Sequence, residues 1–401
     1  MTSPGEAEAG VRSGRNVWIL SFTLVVVMLG FGIVIPIFPF YIERMGAGGS
    51  ELGLLVAFSS LMEFIFAPVW GSVSDRVGRK PILVVGMLGY ALSMLFLGLS
   101  TELWMLFAAR GLGGILTSAA LPTSMAYIGD STREEDRGGG MGMLGSAMGL
   151  GVILGPGIGG WMAGGSLSTP FYLSSGLSLV ALLLIVLLLP ESLPKERRLT
   201  GTARTVQLGE LWRALRSPIG LLLFMAFLLS FGLTNFEAIF GLYALMKFGY
   251  GPERVGVILM VIGVVSTVGK GVLTGPSTRR FGEENVIKFS LLAGSAGFLV
   301  LLLADSYVTI LFATGFFILS KTLLRPAVLS LTSKRSTVGQ GAAMGLSNSF
   351  MSLGRIAGPV WAGYSFDLDY SYPYISGSII LMIGFLLSLV WGLESREVPR
   401  A

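Results

Sequence analysis

Runs of roughly 20 apolar residues recur along the whole chain, twelve in all, and a run of that length has few ways to fold. Each fits one helical passage through a hydrocarbon core about 30 Å thick. In order, the predicted spans are Val17–Phe40, Leu52–Val73, Ile82–Ser100, Leu103–Ile128, Gly139–Ala163, Phe171–Leu189, Pro218–Met246, Val255–Gly275, Val286–Leu303, Val308–Ser330, Gly341–Tyr364 and Tyr374–Leu393. Strands of a membrane barrel would alternate in segments of about ten residues, so continuous apolarity predicts an all-α membrane protein. With 53% hydrophobic and 13% charged residues, a soluble domain is excluded. The first run is too long for a removable signal peptide, and its exit Pro36-Ile-Phe-Pro39 lacks small residues at a cleavage site.

Basic residues set the orientation. Of 28 Lys and Arg, five lie well inside the runs and only Arg44, Lys247 and Arg254 fall on one side if both termini are cytoplasmic. The remaining 20, Arg133, Arg279 and Lys195 among them, then face the cytoplasm. That bias accounts for the basic balance without a nucleic-acid partner. The chain has no Cys and no His, so disulfides, thiolate or imidazole metal sites and imidazole proton shuttles are excluded. No metal or cofactor is expected, and proton chemistry falls to carboxylates.

The longest polar stretch, 190–217, reads as a linker between two bundles of six helices, 17–189 and 218–393, with cytoplasmic tails 1–16 and 394–401. Internal similarity supports two related halves. Gly71-x-x-Ser-x-Arg76-x-Gly78 matches Gly275-x-x-Thr-x-Arg280-x-Gly282 at an offset of 204, and Pro122 meets Pro326 at the same offset. Gly155-Pro156 meets Gly358-Pro359 at 203.

In the segment Gly71 to Pro81, Gly71 and Gly78 permit a tight turn, and Pro81 suits the first helical position. Asp75 among Arg76, Arg79 and Lys80 either accepts charge-assisted bonds, forming a breakable cytoplasmic latch, or belongs to a solvated turn. Gly151, Gly155 and Gly159, with Gly160 and Pro156, give the fifth run a face on which another backbone can pack closely.

Charges within apolar spans are costly and mark candidate sites. They are Glu63, Arg110, Glu237, Lys270, Lys321, Arg325 and Arg355. Glu237 is the leading proton carrier, with a structural ion pair as its alternative. Glu63 competes for that role or pairs with Arg110. Lys270 and Arg325 either serve a site or snorkel to the interface, and Lys321 lies deeper. Phe31, Phe236, Phe240 and Tyr243, with Lys321, Arg325 and Arg355, are candidates for lining a substrate cavity; helical packing is the alternative for the aromatics.

These segments resemble the drug:proton antiporter branch of the major facilitator superfamily, most closely NorA- and Bmr-type multidrug exporters and more distantly tetracycline exporters. Gly71 to Pro81 is similar to its cytoplasmic loop signature, Arg110-Gly-Leu-Gly-Gly114 to its helix-four signature and Leu154 to Gly160 to the helix-five signature of exporters. Phe231 to Glu237 and Arg325-Pro-Ala327 are similar to NorA-type segments. The resemblance implies two pseudo-symmetric six-helix bundles and proton-coupled export of an amphipathic small molecule by alternating access. It implies a protein of the bacterial inner membrane among its lipids, not an enzyme; nothing in the sequence demands an oligomer, and a monomer is expected. It places proton coupling on Glu237 and Arg110. Two positions depart from the branch: Thr322 stands where a second acid is expected, and Glu63 where Gln is usual. A lipid flippase, an uptake symporter and a sensor remain as alternatives.

Overall fold

A computed structural model of the chain describes residues 4–132, 134–198, 208–217, 219–336 and 339–397. Arg133, the linker residues 199–207, Pro218 and the ends of both predicted tails lie outside the described residues. Among those described, every regular element is helical. The order is α1 (Pro4–Arg44), α2 (Gly49–Val77), α3 (Arg79–Leu99), α4 (Leu103–Thr117), α5 (Ala120–Ser131), α6 (Glu134–Ala163) and α7 (Thr169–Leu188). After a 3₁₀ turn at Lys195–Arg197 and a short α8 (Leu208–Leu215) come α9 (Gly220–Phe248), α10 (Pro252–Val272), α11 (Thr274–Leu303), α12 (Tyr307–Arg335), α13 (Gln340–Leu368) and α14 (Tyr372–Glu397). Without water in the membrane core, backbone groups must bond within their own segment, and helices satisfy that requirement.

The helices outrun the apolar spans, because helix persists into the polar flanks while hydropathy stops at the hydrocarbon edge. The fourth span is broken at Ser118 and Ala119 into α4 and α5. Among the described residues eleven segments are long and apolar enough to cross a membrane. The 29-residue α13 has the length, but Ser347, Asn348, Ser349, Ser352 and Arg355 make it more polar.

The chain divides into two compact units, Met1–Tyr41 with Leu61–Val206, and Ile42–Ser60 with Gln207–Ala401. Helix α2 thus contributes to both. Within the second unit its first turn is tied to the end of α13. Asp367 accepts hydrogen bonds from the N–H groups of Gly49 (2.7 Å) and Ser50 (2.9 Å), where the orphan donors of a helix start favour a carboxylate. Close by, a Cβ on Gly53 would lie 2.2 Å from the carbonyl oxygen of Pro359.

The glycines of α6 form a seam with α1 inside the first unit. A Cβ on Gly151 would come 2.7 Å from the Val25 carbonyl oxygen, one on Gly155 would come 2.5 Å from that of Leu29, and one on Gly159 would come 2.9 Å from that of Ile33. The second unit repeats the seam between α13 and α9: a Cβ on Gly354 would come 2.5 Å from the Phe227 carbonyl oxygen and one on Gly358 would come 2.7 Å from that of Phe231. Small residues here let backbones meet, which replaces the hydrophobic drive that lipid does not supply. Gly155→Leu is therefore expected to destabilise the folded protein by more than the ~1–3 kcal/mol of ordinary overpacking, since rigid backbone blocks the new side chain. Gly142→Leu, with nothing within 4 Å of its Cβ, serves as the matched control in detergent melting curves.

Candidate functional site

The segment Gly71 to Pro81 is mostly helix. α2 runs to Val77, and the break is confined to Gly78, whose φ of 117° few residues other than glycine adopt. The expected role of Gly71 in the turn is corrected: it sits inside α2 with nothing within 4 Å of a Cβ. Pro81 occupies the third position of α3 rather than the first, where its missing N–H is still one of the unbonded donors.

Arg79 is the hub of this loop. It is 7% exposed and donates through Nη1 to Asp75 (2.6 Å) and Ser74 Oγ (2.6 Å), and through Nε to Asp130 Oδ2 (2.9 Å). Of the three expected basic partners of Asp75, only Arg79 binds it. Arg76 donates to Ser72 Oγ, and Lys80 Nζ to the carbonyl of Val186. Glu191, from the segment after α7, caps the start of α3 by accepting from the N–H groups of Arg79 (2.8 Å) and Lys80 (3.2 Å). Asp130 and Glu191 escaped the sequence reading. Their signal was an acid at the end of an apolar run, easily taken for an ordinary polar boundary.

The repeat of this loop at offset 204 keeps the geometry and exchanges the charges. Gly282 takes Gly78's place with φ 75°, Glu283 stands for Arg79, and Lys334 on α12 stands for Asp130. Glu283 and Lys334 form an ion pair, and Glu284 pairs with Arg335 beside it. Arg279, at the position equivalent to Asp75, belongs to neither pair.

The charges inside the spans are arranged differently. In the first unit Arg110 lies with its guanidinium carbon 5.2 Å from the centre of the Phe38 ring. Glu63 reaches it through its field without forming an ion pair. In the second unit Glu237 is the 18th of the 29 residues of α9, half-buried, and Lys270 is the charge within Coulombic range of it. Among the described residues no cation comes within 4.0 Å of its carboxylate. Arg325 and Arg355 are exposed on α12 and α13, and Arg355 Nη2 donates to Ser352 Oγ at 2.9 Å.

Four of the expected cavity residues are sealed inside the second unit instead. Phe236, Phe240 and Tyr243 are 0% exposed. Their spacing of four and three puts them on one face of α9, where Phe236 meets Phe240 (4.8 Å between ring centres) and Phe317 (5.1 Å), and Tyr243 meets Tyr374 (4.6 Å). That face packs on α12 and α14 and forms an aromatic core. Lys321 is also buried, its Nζ without a hydrogen-bond partner and 5.6 Å from the centre of the Phe317 ring. Phe31, at 44% exposed, stays accessible on α1. An apolar cleft of about 240 Å³ lies between α9 and α14, lined by Phe224, Phe227, Leu228, Phe231, Ile380 and Ile383.

The family model of the Major Facilitator Superfamily matches residues 20–359. The chain belongs to the Major Facilitator Superfamily. Among similar members, Multidrug resistance protein 2 of Bacillus subtilis is 32% identical over 376 residues, covering 93% of this chain and 94% of its own length. Quinolone resistance protein NorA of Staphylococcus aureus is 28% identical over 379 residues, covering 94% and 96%. Among solved structures, a bacterial homologue of the human lysosomal transporter Spinster, inward-facing and occupied, superposes with a TM-score of 0.79 over 100% of both chains at 12% identity. That likeness concerns the fold alone. The helix-five glycines and the Gly78 loop of this superfamily member are thus placed as a backbone seam and an ion-paired knot.

Proposed function

We propose that the protein is a proton-coupled exporter of amphipathic organic compounds in the bacterial inner membrane. On this reading it has twelve crossings in two bundles of six, with both termini cytoplasmic. The observation that carries the reading is Glu237. It is a half-buried carboxylate in the middle of α9, in a chain similar along 93% of its length to a multidrug resistance protein, with no ion-pair partner to fix its charge. A carboxyl group that alternates between apolar surroundings and the field of Lys270 can take up a proton on one side and release it on the other. Arg110 tunes the first unit, and the knot around Arg79 holds the cytoplasmic loop in a shape that must be remade in each transport cycle.

Purified protein in vesicles loaded with a pH-sensitive dye tests the reading. Addition of an amphipathic substrate is expected to drive proton movement opposite to the substrate, and an imposed pH gradient to accelerate its movement at least tenfold. Proton and substrate moving in the same direction would make the protein a symporter. Movement of labelled phospholipid between leaflets without proton flux would make it a flippase.

A further inference from the structure

The charges inside the spans are unevenly divided. The first unit holds one acid, Glu63, and one base, Arg110. The second holds, away from the span ends, one acid, Glu237, against Lys270, Lys321, Arg325 and Arg355. The four ion pairs found among the described residues all lie in the two loop knots, at Asp75, Arg79 and Asp130 and at Glu283, Glu284, Lys334 and Arg335. None of the four intramembrane bases of the second unit is neutralised by an ion pair.

Three of these bases, Lys270, Arg325 and Arg355, are exposed and lie in sequence of mutual Coulombic range: Lys270 feels Arg325, and Arg325 feels Arg355. They come from α10, α12 and α13, of which α12 packs against both of the others, and Arg355 is steadied by Ser352. Lys321 lies on α12 one turn before Arg325, buried and with its Nζ free of any hydrogen-bond partner. A unit charge about 8 Å from one unpaired cation gains or loses about 2 kcal/mol at an effective dielectric of 20. A cationic compound near two of them is disfavoured by about twice that, and an anion is favoured by as much. Glu237 offsets one cation only while ionised, so protonation makes the surroundings more positive still.

We infer that the exported compound is an anionic amphiphile whose carboxylate, sulfonate or phosphate group is received by Lys270, Arg325 and Arg355. Planar guanidinium forks suit such oxyanions and bind them in two-pronged fashion. The inference rests on the exporter reading and narrows it to a substrate charge. It has an electrical consequence. Exchange of one proton inward for one monoanion outward moves two charges per cycle, each worth about 2.3 kcal/mol at 100 mV, whereas exchange for a monocation moves none.

The test uses the full chain in pure phosphatidylcholine vesicles on a solid-supported membrane, with three probes under one proton gradient. Anilinonaphthalene sulfonate is the anion, N-phenylnaphthylamine its counterpart lacking the sulfonate, and ethidium the cation. The expected result is a sulfonate transport rate at least tenfold above the other two, with a current carrying positive charge in the direction of proton entry. The double variant Lys270→Gln, Arg355→Gln is expected to lower the ratio of sulfonate to phenylnaphthylamine rates at least tenfold. The wild-type current stands as evidence should that variant not fold. Ethidium exchanged without current, at rates above the sulfonate, would overturn the anion inference and leave the exporter standing. Proton flux with none of the probes would overturn the exporter reading itself. Repetition in phosphatidylglycerol vesicles separates a carried anion from a bound anionic headgroup: sulfonate export confined to those vesicles would assign the cations to lipid and sink the inference.

Discussion

Glu237→Gln is expected to abolish gradient-driven efflux, with a loss of about 100-fold or more, the lower end of what a positioned proton donor contributes. Glutamine keeps the size and hydrogen-bonding capacity of the side chain but carries no dissociable proton. Substrate binding to detergent-solubilised protein should therefore persist within a few-fold, and so should exchange of labelled for unlabelled substrate at equal concentrations, which needs no net proton movement. The structure supports a specific role because, among the described residues, no ion pair depends on Glu237, so the substitution breaks no salt bridge. Efflux that survives in Glu237→Gln and is lost in Glu63→Gln would transfer the role to Glu63.

Arg79→Lys is expected to be nearly as damaging although the charge is kept. A lysine ammonium cannot reproduce a guanidinium that donates through Nη1 to Asp75 and Ser74 and through Nε to Asp130. The two carboxylates retain some water, with side-chain exposures of 37% and 28%. The stability cost should accordingly fall near 1–3 kcal/mol, below the ~3–5 kcal/mol of a fully buried broken pair. Transport is expected to fall at least tenfold, Asp75→Asn to follow it, and Arg279→Gln to have little effect, all measured as efflux per folded protein. Equal losses at Arg79 and Arg279 would show that the loop contributes bulk positive charge and not a particular geometry.

The helices were legible in the sequence because membrane crossing imposes a length and an apolarity that no packing detail overrides. The halves were legible because Gly78 and Gly282 need a backbone conformation that only glycine adopts with ease, and because the seams at Gly155 and Gly358 leave no room for a Cβ. What stayed hidden depends on direction. Phe236, Phe240 and Tyr243 have the composition of a pocket, but which face of α9 turns inward is decided by Phe317 and Tyr374, more than 70 residues away. Asp130 and Glu191 meet Arg79 across 51 and 112 residues, a closeness that no local spacing encodes. Glu63 and Arg110 were plausible partners by charge, yet interact only at a distance.

Arg79 with Asp130 and Glu283 with Lys334 occupy equivalent places in the two repeats of the segment, with the signs exchanged at both positions. Reversing either member alone would set two like charges across the contact. Passage from one arrangement to the other therefore requires either paired changes or an uncharged stage that still lets the helix ends meet. What the two repeats share at this place is the meeting of two helices around a glycine of positive φ, while the polarity of the bond that fastens them differs.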